Sequence, residues 1–144
     1  MKRVVVTGMS VVTALGDNWP QFKQALQQGR NAVCTMSDWD RFSSMTTRLA
    51  APVQDFVRPV HYPRKLVRSM GRVSLMATRA TELALSDAGL LQHPALSDGR
   101  CGIAYGSSTG STEPVLAFGR MMSTGDMTGV TATSYIQMMA HTTA

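Results

Sequence analysis

Gly106-Ser107-Ser108-Thr109-Gly110 has the spacing G-x-S-x-G. In a strand-to-helix turn that spacing lifts a serine hydroxyl towards a general base. The chemistry needs an acid and then a histidine downstream, and the later histidine is His141, set among apolar residues in MMAHTT. A lone histidine in that setting reads as a satisfied core residue, so Ser108 reads as a turn residue and not as a nucleophile. Cys34 lies in a polar loop and Cys101 opens an apolar run. Neither has a neighbouring histidine or helix N-terminus to favour a thiolate, so both read as structural. His61, His93 and His141 share no metal-ligand spacing with the cysteines, and no metal is expected. VVVTGMSVVTALG has the setting of a phosphate turn. Its Gly8 and Gly16 stand eight apart, however, so the G-x-G-x-x-G fingerprint is absent and no P-loop lysine follows. No cofactor is expected.

The remaining candidate is a charged surface. On a helical wheel of Arg64-Lys65-Leu66-Val67-Arg68-Ser69-Met70-Gly71-Arg72, Lys65, Arg68 and Arg72 fall within roughly 60° of one another. Leu66, Met70, Val73, Ala77, Ala80 and Ala84 gather about 130° away on a face that should turn inward. Gly71 weakens the assumption of one helix, and a break there would remove Arg72 from the stripe while keeping Lys65 with Arg68. The net charge of +5 suits an acidic partner. Nucleic acid is disfavoured, because no aromatic residues interleave the cations and no nucleic-acid motif is present. The residues alone leave two readings open, a solvated face and a docking face.

Several elements must position these residues. Arg3–Thr7 is a β-branched run ending at Gly8 and reads as a buried strand. Asp17-Asn18 caps a helix over Trp19–Gln28. Residues 30–63 are irregular, with RLAAPV as a possible short strand and prolines at 52, 59 and 63. A long helix is expected over 70–88, a second buried strand at 101–106, and a helix over Thr112–Met122 with Pro114 in its first turn. Thr133 or Ser134 should cap a further helix running through Tyr135, Ile136, Met138, Met139 and Ala140, with no stop signal before Ala144. The alternation predicts an α/β sheet with parallel elements. Two strands are too few for such a sheet, and the last helix lacks carbonyl partners, so a continuation beyond Ala144 is expected. No apolar run reaches the length of a membrane span. Two distant cysteines give no disulfide framework, which makes a reducing, cytoplasmic compartment the default.

RVVVTGMSVVTALG, YPRKLVRSMGRVSLMATRATELALSDAGL, RCGIAYGSSTGS and TATSYIQMMAHTTA, in that order, together resemble the β-ketoacyl-acyl-carrier-protein synthases. These are condensing enzymes of the thiolase fold, and the likeness is nearest to the synthase II type. The resemblance implies an α/β, thiolase-like fold, a mixed sheet with covering helices, of which residues 1–144 form the incomplete N-terminal half. It implies that the nucleophilic cysteine, two catalytic histidines and a supporting lysine follow Ala144, so this chain holds no catalytic residue and is inactive alone. The parent would be a homodimeric acyltransferase of fatty-acid or polyketide-like synthesis, elongating acyl chains by decarboxylative condensation. By the same resemblance, Lys65 and Arg68, with Arg64 and Arg72 beside them, would dock the acidic acyl carrier protein. Ser69 stands where relatives are often basic, and Ser10 where they often have glycine. Thr109 would lie beside the acyl pocket, and Thr133 and Ser134 in a loop that reaches the dimer partner's pocket. The alternative is a non-catalytic module, akin to a chain-length factor, that binds carrier protein or a ketosynthase subunit.

Overall fold

The computed structural model describes residues 3–139. Helix α1 (Trp19–Gln27) begins where Asn18 Oδ1 accepts a 3.0 Å hydrogen bond from the Gln21 N–H, with Pro20 in the first turn. That proline lacks only an N–H the helix would leave unpaired anyway. Strand β1 (Cys34–Thr35) and strand β2 (Leu49–Ala50) follow, separated by a 3-10 turn at Ser37–Arg41. They pair antiparallel, Cys34 opposite Ala50 and Thr35 opposite Leu49. The RLAAPV expectation is met by Leu49–Ala50.

Helix α2 (Arg64–Val67) is one turn long, and helix α3 (Arg72–Asp87) starts after a break. The expected helix over 70–88 is therefore present from Arg72. It stops where Gly89 takes φ +69, so that the Leu90 N–H can reach the Leu85 carbonyl at 2.8 Å. Glycine adopts that left-handed geometry without a Cβ clash. The C-terminal half of α3 lies against the opening segment. Met9 N–H donates to Asp87 Oδ2 at 3.0 Å, and a Cβ on Gly8 would fall 2.6 Å from the Ala88 nitrogen. The small side chains of Ala84 and Ala88 keep that approach short.

The two segments expected as buried strands are neither paired nor buried. Val4 is 94% exposed and Ile103 is 70% exposed, and no backbone ladder includes 3–7 or 101–106 among the described residues. A β-branched run favours extended chain, but a strand exists only by pairing with a neighbour. Within the described residues that neighbour is missing, so the expected parallel pairing is missing too.

Helix α4 (Thr112–Thr124) runs two residues past its expected end, with Pro114 buried in the first turn. Helix α5 (Ser134–Met138) packs against α4 and has Thr133 at its N-cap. The expected continuation through Met139 is corrected. Met139 is extended (φ −79, ψ 129), and Ala140 and His141 lie outside the described residues. The expectation that this helix end lacks carbonyl partners is corrected as well. The Ser111 N–H donates to the Gln137 carbonyl at 2.9 Å, so the Gly/Ser turn before α4 serves the end of α5.

That turn is also a tight junction. Gly71, the N-cap of α3, has no side chain to satisfy the first turn; Ser111 Oγ accepts the Val73 N–H at 3.2 Å instead. Ser111 is 2% exposed. Its neighbour Gly110 has φ +67 and lies against the Met138 backbone. The buried apolar side chains among the described residues are Ala25, Val67, Ala77 and Pro114. All are small or medium in size, so the described residues enclose little core.

Candidate functional site

The cations of 64–72 divide at the helix break. Arg64, Lys65 and Arg68 are exposed on α2 and the following turn, and none forms an ion pair among the described residues. Other arginines are neutralised, Arg48 by Asp40 at 2.8 Å, Arg79 by Glu82 at 2.7 Å and Arg100 by Asp98. Arg3, Lys23, Arg30, Arg41 and Arg58 also form no ion pair among the described residues but are scattered, whereas Arg64, Lys65 and Arg68 bring three unpaired cations into five residues. Arg72 is a correction. Its guanidinium donates to the carbonyls of Val53, Gln54 and Phe56 and sits 5.7 Å from the centre of the Phe56 ring. It ties α3 to the irregular excursion and is not part of an open cationic face. The physical reason is the break at Arg68–Gly71, which resets the helical phase.

Leu66 is also corrected. Instead of turning inward it is 66% exposed, and Val67 takes the buried position. The segment therefore presents an exposed apolar side chain flanked in sequence by three unpaired cations, a composition that suits a protein-binding surface.

Two features hold the segment at its ends. Downstream, the Gln137 side-chain amide donates to the Met70 carbonyl at 3.4 Å, and Gly71 is wedged against Ser111. Upstream, the Tyr62 N–H closes a turn on the Pro59 carbonyl, and the side chains of His61 and Tyr62 meet one carboxylate. His61 Nε2 lies 2.6 Å from Glu82 Oε1, Tyr62 donates its hydroxyl to Oε2 at 2.8 Å, and Arg79 Nη1 donates to Oε2 at 2.7 Å. Burial pushes the Glu82 carboxyl upward, yet hydrogen bonds from Arg79, Tyr62 and His61 and the Arg79 charge outweigh it and hold the group below the ordinary carboxylate range. An ionised carboxylate only accepts, so His61 Nε2 carries its proton. Burial, and then the hydrogen bond and charge of Glu82, push the Tyr62 phenol up to about 12. The sequence reading missed this cluster. Its only local signal is the three-residue spacing of Arg79 and Glu82; His61 and Tyr62 arrive from a distant turn.

The other candidates are placed as follows. Thr109 is exposed on the bend before α4, with no enclosed cavity around it among the described residues. Ser108 is exposed beside it. Thr133 is partly exposed, whereas the Ser134 hydroxyl is buried and committed to Thr131, whose N–H donates to it at 2.9 Å. Thr131 and Ala132 before the helix, and Tyr135 in its first turn, are exposed. Cys34 and Cys101 are both exposed and free. Cys34 lines an open groove of about 540 Å³ with Asp17, Gln21, Gln54 and Asp55, and no histidine lines it. Among the described residues no group of three metal-ligating side chains is close enough to hold an ion, and no helix is long and apolar enough to cross a membrane.

Comparison with known proteins gives a consistent picture. The family model described as "Beta-ketoacyl synthase, N-terminal domain" matches residues 1–144. The 3-oxoacyl-[acyl-carrier-protein] synthase 1 of Escherichia coli is 32% identical over 111 residues, which are 77% of this chain and 27% of that protein. The crystal structure of a β-ketoacyl synthase from Burkholderia phymatum superposes with a TM-score of 0.87 at 60% identity, covering 100% of this chain and 35% of that one. The ishigamide ketosynthase/chain length factor, 21% identical, shares the fold with a TM-score of 0.68 over 97% of this chain and 34% of its own. The chain spans about a quarter of the length of the curated relatives it matches.

Proposed function

Since this chain belongs to the β-ketoacyl synthase family and carries its thiolase-like fold, we propose that residues 1–144 are the opening part of a 3-oxoacyl-[acyl-carrier-protein] synthase and supply its carrier-docking surface. The observation that carries the docking role is the run of exposed Arg64, Lys65, Leu66 and Arg68, its cations unpaired among the described residues and the segment held at both ends. An acidic carrier protein complements that charge, and Leu66 offers the apolar contact at its centre.

The chemistry belongs to the whole enzyme. A cysteine thiolate outside this chain attacks the acyl thioester and releases the carrier thiol. A malonyl thioester then loses CO2, and the resulting carbanion attacks the acyl-enzyme carbonyl, expelling the cysteine as 3-oxoacyl-carrier forms. Backbone N–H donors hold the oxyanion in both steps. In this reading Thr109 borders the acyl chain, and the loop at Thr133 and Ser134 reaches the partner's pocket in a homodimer. The free, unbridged cysteines suit a reducing, cytoplasmic setting.

The test uses the full-length protein with acyl- and malonyl-carrier protein. A 3-oxoacyl product is expected, and Lys65→Glu with Arg68→Glu should raise KM for the carrier-bound substrate by at least about ten-fold, the effect of reversing two charges at an interface. Carrier binding with no product would move the protein to a non-catalytic subunit. Product formation with KM untouched by the two reversals would remove the docking role.

A further inference from the structure

We propose that Glu82 is a positioning residue of the docking surface, setting the direction of α2 by clamping the turn that precedes it. The proposal rests on the docking role given above for Arg64, Lys65 and Arg68. Helix α2 has four residues, fewer than a helix needs to sustain itself, so its orientation comes from what holds its ends. At the entry, Pro59 and Pro63 restrict the backbone of the turn. His61 and Tyr62, the two residues before Pro63, both reach the Glu82 carboxylate, and Arg79 fixes that carboxylate from the same face of α3.

An exposed ion pair would contribute little, but Glu82 is only 23% exposed and receives three donors from two separate parts of the chain. Cutting it from the turn would let Arg64, Lys65, Leu66 and Arg68 sample several directions. A partner would then have to restrict them on binding.

The sign of one substitution separates positioning from simple electrostatics. Glu82 is an anion whose partners His61 and Tyr62 directly precede the cationic segment, so if charge alone matters, removing its charge should strengthen, and not weaken, attraction to an acidic partner. The clamp requires the opposite. In the full-length protein, Glu82→Gln is expected to weaken binding of acidic acyl carrier protein on the order of three- to ten-fold. It should raise KM for the carrier-bound acyl substrate while kcat holds. The ratio of kcat/KM for carrier-bound over carrier-free acyl thioester should fall by the same factor. Tyr62→Phe keeps every charge and removes one of the three bonds, and should weaken binding in the same direction by less.

Unchanged or tighter binding by Glu82→Gln overturns the clamp, and so does a loss shared equally by carrier-free substrate. If Glu82→Gln does not fold, Tyr62→Phe decides: unchanged binding overturns the proposal. The Lys65→Glu, Arg68→Glu variant marks the two failures apart. If it binds carrier normally, the docking role and the clamp fall together; if it loses binding while Glu82→Gln does not, the clamp alone falls.

Discussion

At the scale of single residues, the Tyr62 phenol would have to ionise against a carboxylate 2.8 Å away, in a partly buried site. Its pKa is pushed up to about 12 by burial and by Glu82. The native state therefore favours the protonated phenol, and this contribution to stability is complete below pH 10 and lost as pH rises towards 12. Glu82 has the opposite sign. Its carboxyl is held down, so its contribution is present above the ordinary carboxylate pKa and lost as pH falls through the lowered value. Ultraviolet titration of full-length protein, taken as the difference between wild type and Tyr62→Phe, should show a tyrosinate midpoint near 12, and Glu82→Gln should bring it down. A midpoint near 10 would contradict the geometry. Arg72 and Glu82 show what sequence can reveal at this scale. Lys65 and Arg68 are legible as a pair because three-residue spacing holds within one turn, and Gly71 marks where the wheel ceases to apply. The contacts of Arg72 with residues 53–56, and of Glu82 with His61 and Tyr62, join distant parts of the chain, and no local periodicity encodes them.

At the scale of elements, α1, α3 and α4 fall close to their predicted ranges because their signals are local, as with Asn18 before Trp19 and Gly89 after α3. The strands at 3–7 and 101–106 do not, because pairing is a relation between segments and composition states only half of it. Helix α5 fails for a third reason. Its end is governed by the turn at 106–111, and the sequence of α5 itself carries no trace of that. The same turn permits a prediction. Gly110 has φ +67, and a Cβ there would lie 2.7 Å from the Met138 carbonyl carbon. Gly110→Ala should destabilise the full-length protein by about 2 kcal/mol or more, from left-handed backbone strain plus the overlap. The check is the denaturant midpoint at constant m-value. A change below about 0.5 kcal/mol, the level of an ordinary surface substitution, would mean that α5 does not approach the turn.

At the scale of the whole molecule, surface area is the informative quantity. The chain exposes 10766 Å², whereas a folded monomer of 15.6 kDa exposes about 7,200 Å². Exposed side chains include Val4, Val5, Val6, Ile103, Leu116 and Met122, and the small residues that are buried cannot offset the chain entropy of folding. The isolated 144-residue chain should therefore bind a hydrophobic dye and melt without a cooperative transition. The full-length protein should melt in one sharp step. A cooperative, dye-silent 144-residue monomer would show that these residues close a core of their own. Family and fold are legible from sequence because four separated motifs occur in order. The extent of the uncovered surface is not, since apolar residues look alike in sequence whether or not something lies over them.

The uncovered valines at the start of the chain bear on how the protein is made. About a hundred residues separate Val4, Val5 and Val6 from the exposed run around Ile103, so at 5–20 residues per second the second emerges roughly 5–20 s after the first. For that interval a short, β-prone, nearly uncharged stretch is available to any nascent neighbour on the same messenger, as sticky edges of this kind are. Arg3 beside the valines acts as a gatekeeper charge, and cells making this protein at high rate would draw on chaperones that shield emerging chains.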